Sequence, residues 1–212
     1  MTDCGNHGNG GKKKFQRILA GFLVISFILL VTALMVWAIL RPKKPRFVLR
    51  DVTVRAFNAS VPNFLTSNFA ITVSSRNPND RIGVYYDRLD VYATYRSQQI
   101  TFRTRIPPTY QGHEEVNVWS PIIDGTTVPV APYNSLALVQ DEAAGVIRLL
   151  IKIDGRVRFK LGTFITKRYH IHVKCLATIP FGSTSSCCGG AGIIVGDNAV
   201  KFQLVERCSV SI

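Results

Sequence analysis

Val146 to Gly162 reads VIRLLIKIDGRVRFKLG. Ile147, Leu149, Ile151 and Ile153 alternate with Arg148 and Lys152. Beyond Asp154-Gly155, Val157, Phe159 and Leu161 alternate with Arg156, Arg158 and Lys160. A period of two marks a half-buried strand, because successive side chains point to opposite faces. Asp-Gly between two such runs is the signal for a two-residue turn at positive φ. The stretch therefore predicts an antiparallel hairpin with one buried face and one wet, basic face.

The same period recurs on both sides of it. In NFAITVSS, Phe69, Ile71 and Val73 share a face. In LDVYATY, Leu89, Val91, Ala93 and Tyr95 point inward, and in ITFRTRI, Ile100, Phe102 and Ile106 oppose Thr101, Arg103 and Arg105. Two late strands follow. Tyr169, Ile171, Val173 and Cys175 share a face of the first; Val200, Phe202, Leu204, Cys208, Val210 and Ile212 share one of the second. PYNSLALVQDEAAG reads as a short helix or irregular crossover. Many short strands, turn signals between them and no long amphipathic helix predict a mainly β domain, an antiparallel sandwich of the immunoglobulin-like kind.

Ahead of it, Ile18 to Leu40 is 23 residues without a charge. At about 1.5 Å per residue that covers a hydrocarbon core of roughly 30 Å. It is too long for a signal peptide, and bulky Trp37, Ile39 and Leu40 stand where cleavage would need small residues. A retained transmembrane helix over 18–40 is expected. Residues 1–17 are Gly/Asn-rich and then basic, and are expected to be a disordered tail. Residues 41–47 are expected to be a stiff, proline-spaced spacer, with the domain over 48–212. Thr2 rules out N-myristoylation, and ERCSVSI at the other end predicts no lipid-anchor tail. The 212 residues carry a net charge of +13. That suits anionic lipid, a polyanionic wall or nucleic acid.

Signals for chemistry are sparse. His170 and His172 share a strand face with Lys174, which reads as two solvated histidines rather than a metal pair. GGAGIIVG, residues 189–196, lacks the preceding strand and following helix of a phosphate loop. Basic residues alternate along wet faces and aromatics point inward, so no nucleic-acid stacking platform is expected. No catalytic residue, cofactor or metal is expected, and the chain is read as a non-enzyme. Cys175 and Cys208 face the apolar side of the two late strands, so a disulfide is feasible if those strands pair; two buried thiols are the alternative. Cys187-Cys188 has no evident partner. Asn58-Ala59-Ser60 is a glycosylation sequon. Basic residues flank the apolar run on both sides, so charge alone leaves its orientation open.

Three motifs occur in order: RPKKPRF (Arg41, Pro42, Pro45, Phe47), NPNDRIGVYYD (Asn77, Pro78, Asn79, Gly83, Tyr85, Tyr86, Asp87) and YQGH (Tyr110, Gln111, Gly112, His113). With the closing CSVSI, the chain resembles the plant family of non-race-specific disease resistance and harpin-induced-like proteins, whose outer module is the late-embryogenesis-abundant type-two domain. The resemblance implies a single-pass plasma-membrane protein with its N-terminus in the cytoplasm and a fibronectin-III-like sandwich outside. It implies a role in defence and stress responses and no catalysis. The partners expected are the lipid bilayer and a protein or cell-wall component; nucleic acid is not expected, and an oligomer is left open. A structural stress protein that stabilises membranes or binds apolar ligands is the alternative. Read from the residues themselves, Asn77 to Asp80 is turn chemistry. Gly83 marks a bulge or a close backbone approach, and only one of Tyr85 and Tyr86 can be core.

Overall fold

The computed structural model describes residues 9–39, 42–60, 63–180, 193–194 and 199–212. Among these the strands run β1 (Arg46–Ser60), β2 (Phe64–Arg76), β3 (Ile82–Tyr95), β4 (Gln98–Gln99), β5 (Thr104–Ile106), β6 (Thr109–Gln111), β7 (Val116–Trp119), β8 (Ile122–Pro129), β9 (Val146–Leu161), β10 (Phe164–Ile165), β11 (Tyr169–Pro180), β12 (Ile193–Ile194), β13 (Val200–Arg207) and β14 (Ser209–Ser211). The helices are α1 (Asn9–Ile39) and α2 (Pro132–Ala143). One compact unit ends at Pro42 and the second begins at Lys43.

In the first unit the helix starts earlier than the apolar run. Residues 9–17, expected to be disordered, are helical from Asn9 onward. Lys, Gln and Arg are good helix formers, and extending an existing helix costs far less than nucleating one. Phe15–Met35 is long and apolar enough to cross a membrane. Residues 1–8, Leu40 and Arg41 lie outside the described residues.

The second unit is built from two antiparallel sheets. One runs β12-β13-β1-β2-β7, with β8 also on β2; the other runs β14-β11-β9-β3-β4, with β10 on β9 and β5 and β6 on β3. Alternate residues of both fill the space between them. Phe47, Leu49, Phe69, Ile71 and Val73 come from one sheet, and Val84, Leu89, Val91, Ile151, Ile153 and Val173 from the other, all buried. The domain starts earlier than expected. Lys43 is already fixed, Pro45 and Phe47 are buried, and β1 starts at Arg46, so no free spacer extends to residue 47.

The expected hairpin at Asp154-Gly155 is absent. β9 runs straight through it as one strand of 16 residues, paired with β11 on one side and β3 on the other. Parity explains this. A two-residue turn would pair Ile153 with Arg156, and paired residues share a face. The apolar residues instead keep odd parity from Ile147 through Phe159, all buried. Gly155 serves close approach rather than turning. The register of β3 against β9 shifts between Tyr86 and Arg88, leaving Asp87 as a bulge. The Arg88 carbonyl then lies where a Cβ on residue 155 would stand.

Two further expectations change. Phe102 is 54% exposed while Thr101 is buried, its hydroxyl accepting the Ala93 N–H at 2.8 Å. The chain between Gln99 and Thr104 is thus not a continuous strand. The last strand also divides: β13 belongs to one sheet and β14 to the other. Val205 at φ 43° breaks the period just before the switch.

Candidate functional site

The motif residues converge at the end of the sandwich where the chain enters it. Asn77 and Asn79 form a closed polar knot there. The Asn77 amide donates to the carbonyls of Ile82 (2.6 Å) and Gly112 (2.8 Å). Its oxygen accepts from the Asn79 backbone N–H (3.1 Å) and the Asn79 amide (2.8 Å). Asn79 in turn grips Lys43 twice, donating to its carbonyl and accepting its N–H, both at 2.8 Å. Both asparagines are buried. Their amides satisfy turn groups that would otherwise be costly to bury. The carbonyl of Glu115 accepts the Asn77 N–H (3.0 Å), and the Glu114 N–H donates to Asn79 (3.1 Å), which ties the YQGH turn to the NPND turn.

Behind the knot, Tyr86 is the core member of the tyrosine pair, 1% exposed. Its hydroxyl donates to Gln111 Oε1 (2.8 Å) and meets Ser75 Oγ at 2.9 Å, and the Gln111 amide donates to the carbonyls of Ser75 (2.7 Å) and Glu115 (2.9 Å). Burial pushes the Tyr86 phenol far above its usual range, against a smaller opposing pull from Ser75. Phe47 stacks on Trp119 (centroids 6.3 Å apart) and meets the Tyr86 ring edge-on (6.2 Å). Gly112 donates its N–H to the Glu115 carboxylate.

On the solvent face Tyr85 is half-buried against Tyr110, their centroids 4.5 Å apart. Arg158 lies over Tyr85 (5.5 Å) and Lys160 over Tyr110 (5.6 Å). Gly83 makes room for this, since a Cβ there would meet the Tyr110 ring; the approach is of a side chain, with no bulge in the register. Bulged Asp87 accepts from Arg158 Nε (2.9 Å) and Nη2 (2.6 Å) and from Arg168 Nε (3.2 Å). The Arg158 hydrogen bond is the main reason its carboxyl sits below the usual range.

Further along the face, Tyr92 donates to Asp154 Oδ2 (2.7 Å) and His172 Nδ1 lies 2.8 Å from Asp154 Oδ1. Burial raises the Asp154 carboxyl, but these hydrogen bonds and the charges of His172 and Arg103 outweigh it and hold the group low. Burial, helped by Asp154, pushes Tyr92 up to about 12. Tyr95, burial acting first and Asp141 second, also rises to about 12. None of these groups is moved toward neutrality, where general acid–base chemistry works best.

His113 lies exposed at the turn, and Pro42 is exposed. Asn58 is exposed on β1. Cys175 and Cys208 are joined in a disulfide. The β11–β14 register, Val173 to Val210 and Lys174 to Ser209, puts them opposite each other one step beyond the ladder. His170 does not join His172 at Asp154, and no group of three metal-ligating side chains occurs among the described residues. Cys187, Cys188 and most of 189–196 lie outside the described residues; Ile193–Ile194 form edge strand β12. The partners of Asp87 and Asp154 escaped sequence reasoning. The signal available was the even-numbered polar face of β9, which becomes a site only once the strands beside it are known.

Fold and frame together define an antiparallel two-sheet domain that follows an N-terminal apolar helix. Residues 72–175 match the family model described as late embryogenesis abundant protein. The chain is 58% identical over 214 residues, the full length of both, to NDR1/HIN1-like protein 1 of Arabidopsis thaliana. It is 28% identical over 182 residues to Protein NDR1 of the same plant, covering 82% of this chain and 73% of that one. It belongs to the NDR1/HIN1-like family, and this family with its late-embryogenesis domain supports a role in defence or stress. The solution structure of a late embryogenesis abundant protein overlays with a TM-score of 0.35 at 16% identity, over 79% of this chain and 90% of the other. The fold rests on the strands described above and not on that likeness.

Proposed function

We propose that this is a single-pass plasma-membrane protein with a cytoplasmic N-terminus, whose extracellular β-sandwich acts in plant defence by binding or adhesion rather than catalysis. One observation carries the reading. The buried motif side chains Asn77, Asn79, Tyr86 and Gln111 are committed to a rigid frame, while Tyr85 and Tyr110 stand with Arg158 and Lys160 on the basic solvent face of the β9 sheet, the chemically distinctive surface. From residue 43 onward, 21 Lys and Arg stand against 12 Asp and Glu, a difference of +9. That charge suits an acidic wall component or an acidic protein. The Cys175–Cys208 disulfide and the exposed Asn58 sequon support an oxidising, glycosylating compartment.

Orientation is tested by protease protection on sealed, right-side-out plasma-membrane vesicles. External protease should remove the domain and leave the tail intact, and endoglycosidase should shift the mobility of the chain unless Asn58 is replaced. Digestion of the domain only after the vesicles are opened sinks the reading. Binding is tested by capture from plant plasma membrane and wall extracts with Arg158→Glu and Lys160→Glu as controls. Capture that these changes leave intact assigns adhesion to another face.

A further inference from the structure

Beyond β9 the chain turns at Gly162-Thr163 into β10 and lifts two apolar side chains into solvent, Phe164 at 79% and Ile165 at 49% exposure. The tip is held firmly. The Thr166 N–H donates to the Phe159 carbonyl (2.9 Å), and the Thr166 hydroxyl accepts the Phe159 N–H (3.0 Å). A stapled tip presenting Phe-Ile serves no purpose in the core.

Its place in the fold gives it a partner. Leu161 pairs with Ile82, three residues after Asn79, which clasps Lys43. The tip therefore stands at the end of the domain where the chain enters. The same end carries exposed Lys43, Lys44, Arg81, Lys167 and Arg168. Its acidic side chains are Asp80, 3.9 Å from Arg81; Asp87, held by Arg158 and Arg168; Glu115, which takes the Gly112 N–H; Glu114; and, on the other sheet, exposed Glu206 opposite Leu49. Two apolar residues are too few for a stable protein interface, which needs on the order of 1,000 Å². They suit the boundary between headgroups and acyl chains, where aromatic and aliphatic tips bury and flanking cations meet phosphates.

We propose that the Phe164–Ile165 tip inserts into a phospholipid bilayer, with Lys167 and Arg168 at the level of the headgroup phosphates. The proposal rests on Phe15–Met35 as a retained span, and not on which side of the membrane the domain lies.

The full chain carries Trp37 in α1 and Trp119 in the core, and these serve as internal references. Wild type, Phe164→Trp and, at the far end of the sandwich, Tyr133→Trp (70% exposed on α2) are reconstituted into vesicles of acyl-brominated phosphatidylcholine with phosphatidylglycerol. Bromine quenches only tryptophans at acyl depth. The expected result is that the emission added by Trp at 164 is mostly lost while that added at 133 is retained. An unquenched tryptophan at 164 beside a quenched Trp37 overturns the seating and leaves the anchor intact, freeing the tip for a protein. Quenching at both 164 and 133 overturns it too, since the domain would then lie on lipid without preference. A chain that does not float with the vesicles overturns the anchor and the seating together, and one that floats with an unquenched tryptophan at 164 overturns the seating whatever Trp37 reads.

Discussion

At Asn77–Asp80 the chain reverses, and at Asp154–Gly155, with residues of the same turn-forming class, it runs straight. The first segment reverses because its side chains take over the backbone's hydrogen bonds. Asn77 and Asn79 use their amides to satisfy Ile82, Gly112 and Lys43. The second has no such need, because both edges of β9 are already paired. There Asp154 turns outward to Tyr92 and His172, and Gly155 serves by what it lacks, a Cβ that would strike Arg88. A turn-type residue thus marks a site where the backbone needs help, and that help comes as hydrogen bonds in one place and as empty space in the other.

The largest test removes the hydrogen bonds. Asn77→Ala removes the amide donors of the Ile82 and Gly112 carbonyls and the acceptor of the Asn79 backbone N–H, and leaves the Asn79 amide with Lys43 alone. At about 1–3 kcal/mol for each unsatisfied group, less what water can recover, the loss should be roughly 3–5 kcal/mol. It is read as the denaturant midpoint of the full chain in micelles, followed by Trp119 fluorescence. A loss under about 1 kcal/mol would break the comparison, because these asparagines would then be available to a partner rather than holding the turn.

The next test fills the empty space. At Gly155 the obstacle is a backbone carbonyl, at Gly83 the far end of the Tyr110 ring, which is 43% exposed and can swing aside. Gly155→Ala should cost about 2–4 kcal/mol, as overpacking against a fixed group does, and Gly83→Ala about 1 kcal/mol or less. If Gly155→Ala proved as mild as Gly83→Ala in the same unfolding assay, the bulge at Asp87 would be adaptable and the straight run of β9 would need another cause.

Strand existence and facing were legible in the sequence, because the period of two survives in Ile147 to Phe159 and in Leu89 to Tyr95 regardless of partners. The same parity argued against a hairpin, yet the Asp-Gly signal is local and strong, and it says nothing of a bulge in a strand some 65 residues earlier. The polar knot was legible only as turn chemistry. Lys43 lies 36 residues from Asn79, and nothing local ties them. The cysteines were legible as facing the core, but the sheet switch between β13 and β14 was not, since Val200 to Ile212 keeps one parity on paper and loses it at Val205.

The smallest effect lies where the two regions meet, at bulged Asp87. Its carboxyl is ionised in the fold at a pH where the unfolded chain has begun to take up protons, chiefly because Arg158 donates to it. Its contribution to stability is therefore complete above the unfolded carboxylate value of about 3.9 and disappears as pH falls through the lower folded value. Asp87→Asn should weaken the chain modestly at pH 7, and the gap between the two should close on acidification below about pH 4. Urea midpoints measured from pH 7 down to pH 2 give both curves. A gap that stays constant with pH would mean that Asp87 acts through the shape of the bulge, and that its charge contributes nothing to holding Arg158 and Arg168 on the face of the sheet.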